Sequence, residues 1–316
     1  MSEMGLSLAG YDANAAPAAV IDHPGMTSRR EKAMLYWLAR NHYAGEGLIV
    51  DAGLFLGAST NAFATGLKDG PGGRAVGGRF KPVNSYDIAI WVRTMDRYLK
   101  VPAVQRALQG GEIRHGQSFL PILKRLLAGH EDVVDLRIGD IVSTAAADRP
   151  VEIAFYDCLK TAERDAAAFR AFAPRFVPGR TIVVQQDYFY ETAPDLKIRQ
   201  ELLAPYFTFL GAEATSAVFR LDAPLPEAVF REDPVDALSV DQKVALLYQA
   251  AERTGDPKYR LYGQLCVVDF LTQIGARDRA LAQLTDVLRD GPTRPEETFG
   301  PRMQSAISAL RGRLGS

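Results

Sequence analysis

The stretch Gly47-Leu48-Ile49-Val50-Asp51-Ala52-Gly53-Leu54-Phe55-Leu56-Gly57-Ala58-Ser59-Thr60 decides how the rest of the chain is read. A short, continuously apolar run ends in an acid and is followed by turn signals, the pattern of a buried parallel strand. Gly53 and Gly57 let the backbone turn sharply and pass close to a ligand. Ser59 and Thr60 stand where their oxygens can satisfy free N–H groups at the start of a helix running to about Leu67. The unit predicted is a strand, a loop and a helix that hold a ligand at the carboxyl end of a sheet. The plainer alternative is a tight strand-to-helix turn with no ligand.

Two phosphate-binding readings fail on this stretch. A nucleoside triphosphate loop ends in Gly-Lys-Ser or Gly-Lys-Thr, and residues 47–60 contain no lysine. A dinucleotide fingerprint needs a second glycine where Phe55 stands, and that glycine admits the pyrophosphate. A ligand without a pyrophosphate is favoured.

Outward from this unit, the chain alternates between strand and helix patterns. Residues 1–26, rich in Ala, Gly and Pro, read as a loose arm. Ser28-Arg29-Arg30-Glu31 has the form of a capping box ahead of a helix to about His42, with Trp37 as a core anchor. Asp69 to Gly78 reads as a flexible, glycine-rich loop. Val83 to Asp87 is a second strand whose terminal acid can accept hydrogen bonds from ribose hydroxyls; a surface Asp in a turn is the alternative. Ile88 to Leu108 reads as helix broken at Pro102, Gly110 to Gln117 as a polar loop, and Phe119 to Leu127 as helix. A third strand lies within Val133–Val142, a fourth is Val151–Asp157, and a fifth is Thr181–Tyr188. Phe207–Glu213 and Ser216–Leu221 form an antiparallel closing pair. This order predicts an α/β protein with a doubly wound Rossmann-like sheet and a closing hairpin.

The proline-rich, acidic stretch 224–238 reads as a linker, which leaves a domain over 27–223 and an α-helical C-terminal region over 239–316. In that region Val244, Leu247 and Ala250 share one face. Leu261, Leu265, Val268 and Leu271 make a second, Ala280, Leu284 and Val287 a third, and Met303, Ile307 and Leu310 a fourth.

Bulk properties exclude several classes. The formal net charge of the 316 residues is -1, which offers no electrostatic case for nucleic acid or an anionic membrane. Hydrophobic content of 47% without a run of about 20 apolar residues argues against a membrane span. Cys158 and Cys266 stand far apart and fit a reducing, cytoplasmic compartment. The four histidines, His23, His42, His115 and His130, show no ligand spacing and read as structural or surface groups. His115 alone lies in a loop that can reach the cofactor face.

Asp51-Ala52-Gly53-Leu54-Phe55-Leu56-Gly57, Asn84-Ser85-Tyr86-Asp87, Gly139-Asp140 and Val177-Pro178-Gly179-Arg180 together resemble class I S-adenosylmethionine-dependent methyltransferases. The nearest group is that of bacterial sugar and macrolide O-methyltransferases. The resemblance covers residues 47–221 and excludes the C-terminal helices. It implies S-adenosylmethionine as cofactor, with Asp51, Gly53, Gly57, Ser59 and Thr60 in the cofactor unit, Asp87 on the ribose and Asp140 beside the adenine. Many family members carry a further glycine in the first motif, which this chain lacks.

A second resemblance concerns chemistry. Asp157-Cys158-Leu159-Lys160 is similar to the Asp-x-x-Lys of catechol-type, metal-dependent O-methyltransferases, where the Asp binds a divalent cation and the Lys takes the hydroxyl proton. It implies Asp157 and Lys160 as catalytic residues, with Asp157 and Asp187 holding Mg²⁺. A cation and partial desolvation would lower the Lys160 pKa and make it a base. The sugar-type pattern Asp-Asp-Tyr reads Gln186-Asp187-Tyr188 here, and the catechol-type pattern has Asn where Tyr188 stands. The ligand set is thus one group short of either pattern, which favours Lys160 as a salt bridge between the two acids.

The function these readings predict is O-methylation of a small-molecule or sugar hydroxyl, with a small-molecule or glycan acceptor as partner and room for a homo-oligomer. The alternative is a non-catalytic protein of the same fold that binds or assembles through its C-terminal helices; Phe55 and Gln186 raise it.

Overall fold

The computed structural model describes residues 10–290 and 301–315. Residues 1–9 of the expected arm, and residues 291–300 and 316 of the expected helical region, lie outside the described residues. Five parallel strands lead the sheet: β1 (Leu48–Ala52), β2 (Val83–Asp87), β3 (Val134–Ile138), β4 (Val151–Tyr156) and β5 (Ile182–Gln185). A hairpin of β6 (Phe207–Glu213) and β7 (Ser216–Leu221) closes it, with β7 antiparallel to β5. The order is β3-β2-β1-β4-β5-β7-β6. It reverses direction between β1 and β4, which opens a crevice at the carboxyl ends of the strands. This is the doubly wound sheet with a closing hairpin read from the sequence.

Strand side chains alternate between the two faces. Ile49, Val83, Ile153, Phe155, Ile182 and Val184 join one core with α1 (Ala18–Ile21), α2 (Arg29–Asn41), α3 (Ala58–Asp69) and α4 (Pro71–Val76). Val50, Ala52, Tyr86, Ala154, Tyr156 and Val183 join the other. There they pack on groups of α7 (Ile141–Thr144), α8 (Ala162–Phe172) and α9 (Pro194–Leu202).

Between β2 and β3 the chain makes a single 3₁₀ stretch over Arg93–Lys100, then α5 (Pro102–Leu108) and α6 (Leu120–Leu126). The helix expected from Ile88 begins only at Arg93: residues 88–92 are irregular, with Ala89 in the left-handed region at φ 53° and Ile90 bridging Ser118. Pro102 does not break a helix but begins one, at the position where its missing N–H costs nothing. Trp91, Tyr98 and Phe119 of this insertion pack around Phe55, edge to face for Tyr98 and Phe119 and tilted for Trp91.

Three stretches read as loose are held. Pro71 starts the helix α4 within the expected glycine-rich loop, and Val76 is buried at its end. In the expected arm, Val20 is fully buried and Tyr11 donates to Glu213 while its ring meets Trp37. In the expected linker, which contains α10 (Ala228–Arg231), Asp233 pairs with Arg199, whose guanidinium also binds Asp165 at 2.6 Å. All three partners are buried, so the pairing is directional and costly to break.

The C-terminal helices α11 (Val240–Glu252), α12 (Pro257–Gln273), α13 (Arg277–Asp290) and α14 (Pro301–Leu314) bury the apolar faces read from the sequence. Their core includes Ile198 of α9, and Ala250 reaches the core beneath the sheet. Arg253 forms a bidentate pair with Glu201, so α11 is bound to α9 by charge as well as by packing.

Candidate active site

The first loop of the crevice follows β1. Gly53 has φ +102°, and a Cβ there would lie 2.9 Å from the Cys158 nitrogen. Only glycine lets the loop press against the end of β4. Phe55 takes the left-handed region at φ 47°, a strained state for a bulky residue. Gly57, also left-handed, caps α3. The expected capping by Ser59 and Thr60 does not occur: both lie inside the helix and are buried.

Asp51 is likewise placed away from the crevice. It shares the face of Ile49, where α3 covers it completely. Thr60 Oγ1 donates to its Oδ2 at 2.5 Å, Ser85 Oγ lies 3.3 Å from the same atom, and Oδ1 has no hydrogen-bond partner. Burial pushes its pKa up to about 6, against the hydroxyls of Thr60, Ser59 and Ser85. The expected cofactor role of Asp51, Ser59 and Thr60 thus becomes an internal tie between β1, β2 and α3.

Asp87 and Asp140 do meet, on the wall of one cavity of about 230 Å³. Asp87 Oδ2 accepts from Phe55 N at 2.9 Å, and Oδ1 accepts from Ala89 N at 2.8 Å. Burial raises its pKa and these backbone donors oppose the rise. Asp140 caps α7 through Val142 N and accepts from Arg164 at 2.9 Å, which holds its carboxyl below the usual range. Ile88, Ile90, Met95 and Ile141 give the cavity apolar sides, and Cys158 lines it too. Burial pushes the Cys158 thiol up to about 12, so it is no thiolate at neutral pH. Sequence reading missed the isoleucines, Met95 and Arg164; the path of the β2–β3 insertion brings Ile88, Ile90 and Met95 here, while Ile141 comes from α7 and Arg164 from α8.

A second cluster stands at the ends of β4 and β5. Lys160 Nζ donates to Asp187 Oδ2 at 2.6 Å, to Asp157 Oδ1 at 3.3 Å and to Gln186 Oε1 at 3.4 Å. Asp187 sits at φ 61°, in the turn that carries its carboxylate back over β5. Burial pushes Asp157 up to about 7, with Asp187 adding to the rise and Lys160 opposing it. For Lys160, burial acts downward, but Asp157 and Asp187 outweigh it and the net shift is upward. This reverses the expectation of a lowered lysine pKa.

The same geometry tests the expected Mg²⁺. The two carboxylates converge on one nitrogen, so they are close enough to share a cation. The Lys160 ammonium itself stands at their meeting point and supplies the counter-charge. Among the described residues, no cluster of three or more His, Cys, Asp or Glu is arranged to hold a metal. The residues as placed do not fit a metal site; they form the salt bridge. His115 is exposed and does not line the cavity, whereas His23 is buried against the loop that follows β1. Among the described residues, no helix is long and apolar enough to cross a membrane.

No family model matches the chain, and no curated protein matches it. Among solved structures, the chain is similar to the O-methyltransferase NovP at 14% identity and a TM-score of 0.44, over 63% of this chain and 82% of that one. It is similar to CalS11, a calicheamicin methyltransferase, at 17% identity and a TM-score of 0.39, over 60% of this chain and 76% of that one. The O-methyltransferase from Bacillus cereus in complex with SAH is 16% identical, with a TM-score of 0.40, over 66% of this chain and 93% of that one.

Proposed function

We propose that the protein is an S-adenosylmethionine-dependent methyltransferase acting on a hydroxyl of a small molecule or sugar. The observation that carries this reading is the Asp87 cavity at the carboxyl ends of the parallel strands, with Asp140 on the same wall. At about 230 Å³ it is smaller than the roughly 300–1,000 Å³ of whole-ligand pockets. That size suits an adenosine half, with the remainder of the ligand reaching toward Gly53 and Asp157.

The bound cofactor would supply an electrophilic methyl group on sulfur. Each Asp87 oxygen spends one lone pair on a backbone N–H and keeps another for a ribose hydroxyl. Ile88, Ile90 and Ile141 offer apolar surface to a purine. The acceptor oxygen must lose a proton as it attacks, and Asp157, with its pKa near 7, is matched to that task. Lys160 stays charged, orients Asp157 and offsets Asp187. Lys160 therefore positions the base and is not the base.

The test is calorimetry with S-adenosylhomocysteine. The wild type should bind, and Gly53→Val should not, because the added side chain collides with the end of β4. Equal affinity in the variant, or tight NAD binding by the wild type, would overturn the assignment.

A further inference from the structure

We propose that His23, together with Tyr98, is a positioning residue for the cofactor loop, acting through the backbone of Leu56 and Gly25. The inference rests on the cofactor reading above. The loop Gly53–Gly57 contains a strained residue, Phe55, and such a conformation persists only when its surroundings over-determine it. One restraint is local, Gly57 N donating to the Leu54 carbonyl at 2.7 Å, and a second comes from β2, where Asp87 accepts from Phe55 N. The third comes from the N-terminal segment. His23 Nε2 lies 2.9 Å from the Leu56 carbonyl. A carbonyl only accepts, so the histidine carries its proton on Nε2.

The segment bearing His23 is itself anchored. The buried Lys32 ammonium donates to the carbonyls of Ile21 and His23, at 2.6 and 2.8 Å. Asn61 of α3 donates to the Ala19 carbonyl at 3.1 Å. Tyr98, from the β2–β3 insertion, donates to the Gly25 carbonyl at 3.0 Å while its ring meets the edge of Phe55. A Cβ on Gly25 would lie 2.5 Å from the Ala58 Cβ, so the strap runs in close contact over the start of α3. His23 and Tyr98 thus hold the loop from outside the crevice, and neither lines the cavity. A loop ordered before binding costs less to order during it.

The experiment has two readouts. Hydrogen exchange without ligand should show amides 54–58 opening faster in His23→Ala than in wild type, with the exchange of β1 and β4 unchanged. Affinity for S-adenosylhomocysteine should fall roughly three- to tenfold, the size of one lost hydrogen bond. His23→Gln, whose amide can donate to the same carbonyl, should recover part of both. If His23→Ala does not fold, Tyr98→Phe removes a single hydroxyl and should show the same local opening. Unchanged exchange over 54–58 in the folded variants overturns the proposal. Failure of the wild type to bind S-adenosylhomocysteine would instead overturn the cofactor reading, and the exchange result would still judge the strap.

Discussion

The two halves of the crevice use the same residue type in opposite ways. On the β2–β3 side, Asp87 and Asp140 each answer to their own donors: two backbone N–H groups for Asp87, and Arg164 with a helix N-terminus for Asp140. On the β4–β5 side, Asp157 and Asp187 share one ammonium, and the charge state of Asp157 depends on both neighbours. The first arrangement suits recognition of neutral hydroxyls, because its carboxylates are oriented by donors of their own. The second suits proton transfer, because Asp157 is poised near neutral pH. An acid at the end of a strand has no role of its own; what stands beside it gives it one.

The largest effect should come from the recognition side. On the proposed cofactor reading, Asp87→Ala removes an acceptor for ribose, and it also frees Phe55 N and Ala89 N. Hydrogen bonds to a charged group are worth roughly 1.5–3 kcal/mol, so affinity for S-adenosylhomocysteine should fall at least about tenfold. Calorimetry reads this directly. An unchanged affinity would mean that Asp87 serves only the loop, and the contrast between the two halves would lose one term.

A smaller effect is expected from Lys160→Met. Two facing acids would lose their counter-charge. Because Lys160 is 37% exposed, the loss is moderated by solvent, and a cost of about 1 kcal/mol is expected. The melting temperature should fall by a few degrees. Millimolar Mg²⁺ should then raise it in the variant and not in wild type, because a cation can take the vacated place. Equal Mg²⁺ stabilisation of the wild type would show that metal competes with the lysine, and the salt-bridge reading would fail.

A third effect concerns pH. The folded pKa of Asp157, about 7, lies above its unfolded value. The folded state therefore holds the proton more tightly between about pH 4 and 7. The stability this adds is complete below about pH 4 and is lost as pH rises through 7. Denaturant melts across that window should show wild-type stability falling relative to Asp157→Asn as pH increases. Parallel curves would mean that Asp157 is ionised throughout, and the claim that it is poised as a base would fall.

Much of the fold was legible because its signals are local. The apolar run at 48–52, the capping box at Ser28 and the spaced leucines of α12 depend on neighbours within a few residues. Helix and strand periods follow from backbone geometry, so such patterns survive without knowledge of the partner. The expectation of a helix from Ile88 failed where the signal was not local. Trp91, Tyr98 and Phe119 come together around Phe55, and beside that cluster Ile90 bridges Ser118 while Ala89 turns in the left-handed region.

The sequence by itself determined which acids end the strands and that a lysine follows the fourth. It could not determine which way those acids face. Asp51 shares the side of Ile49, beneath α3, and register with β2 sets Ser85 against it. Asp87, at the very end of its strand, escapes that cover and reaches the cavity. Nor could the sequence tell that His23, more than thirty positions before Leu56, would bind its carbonyl. Whether a charge is buried, paired or free depends on which distant elements pack over it, and the free energy of an ionised group depends more on that surrounding than on its own chemistry. Only the tertiary structure decided it.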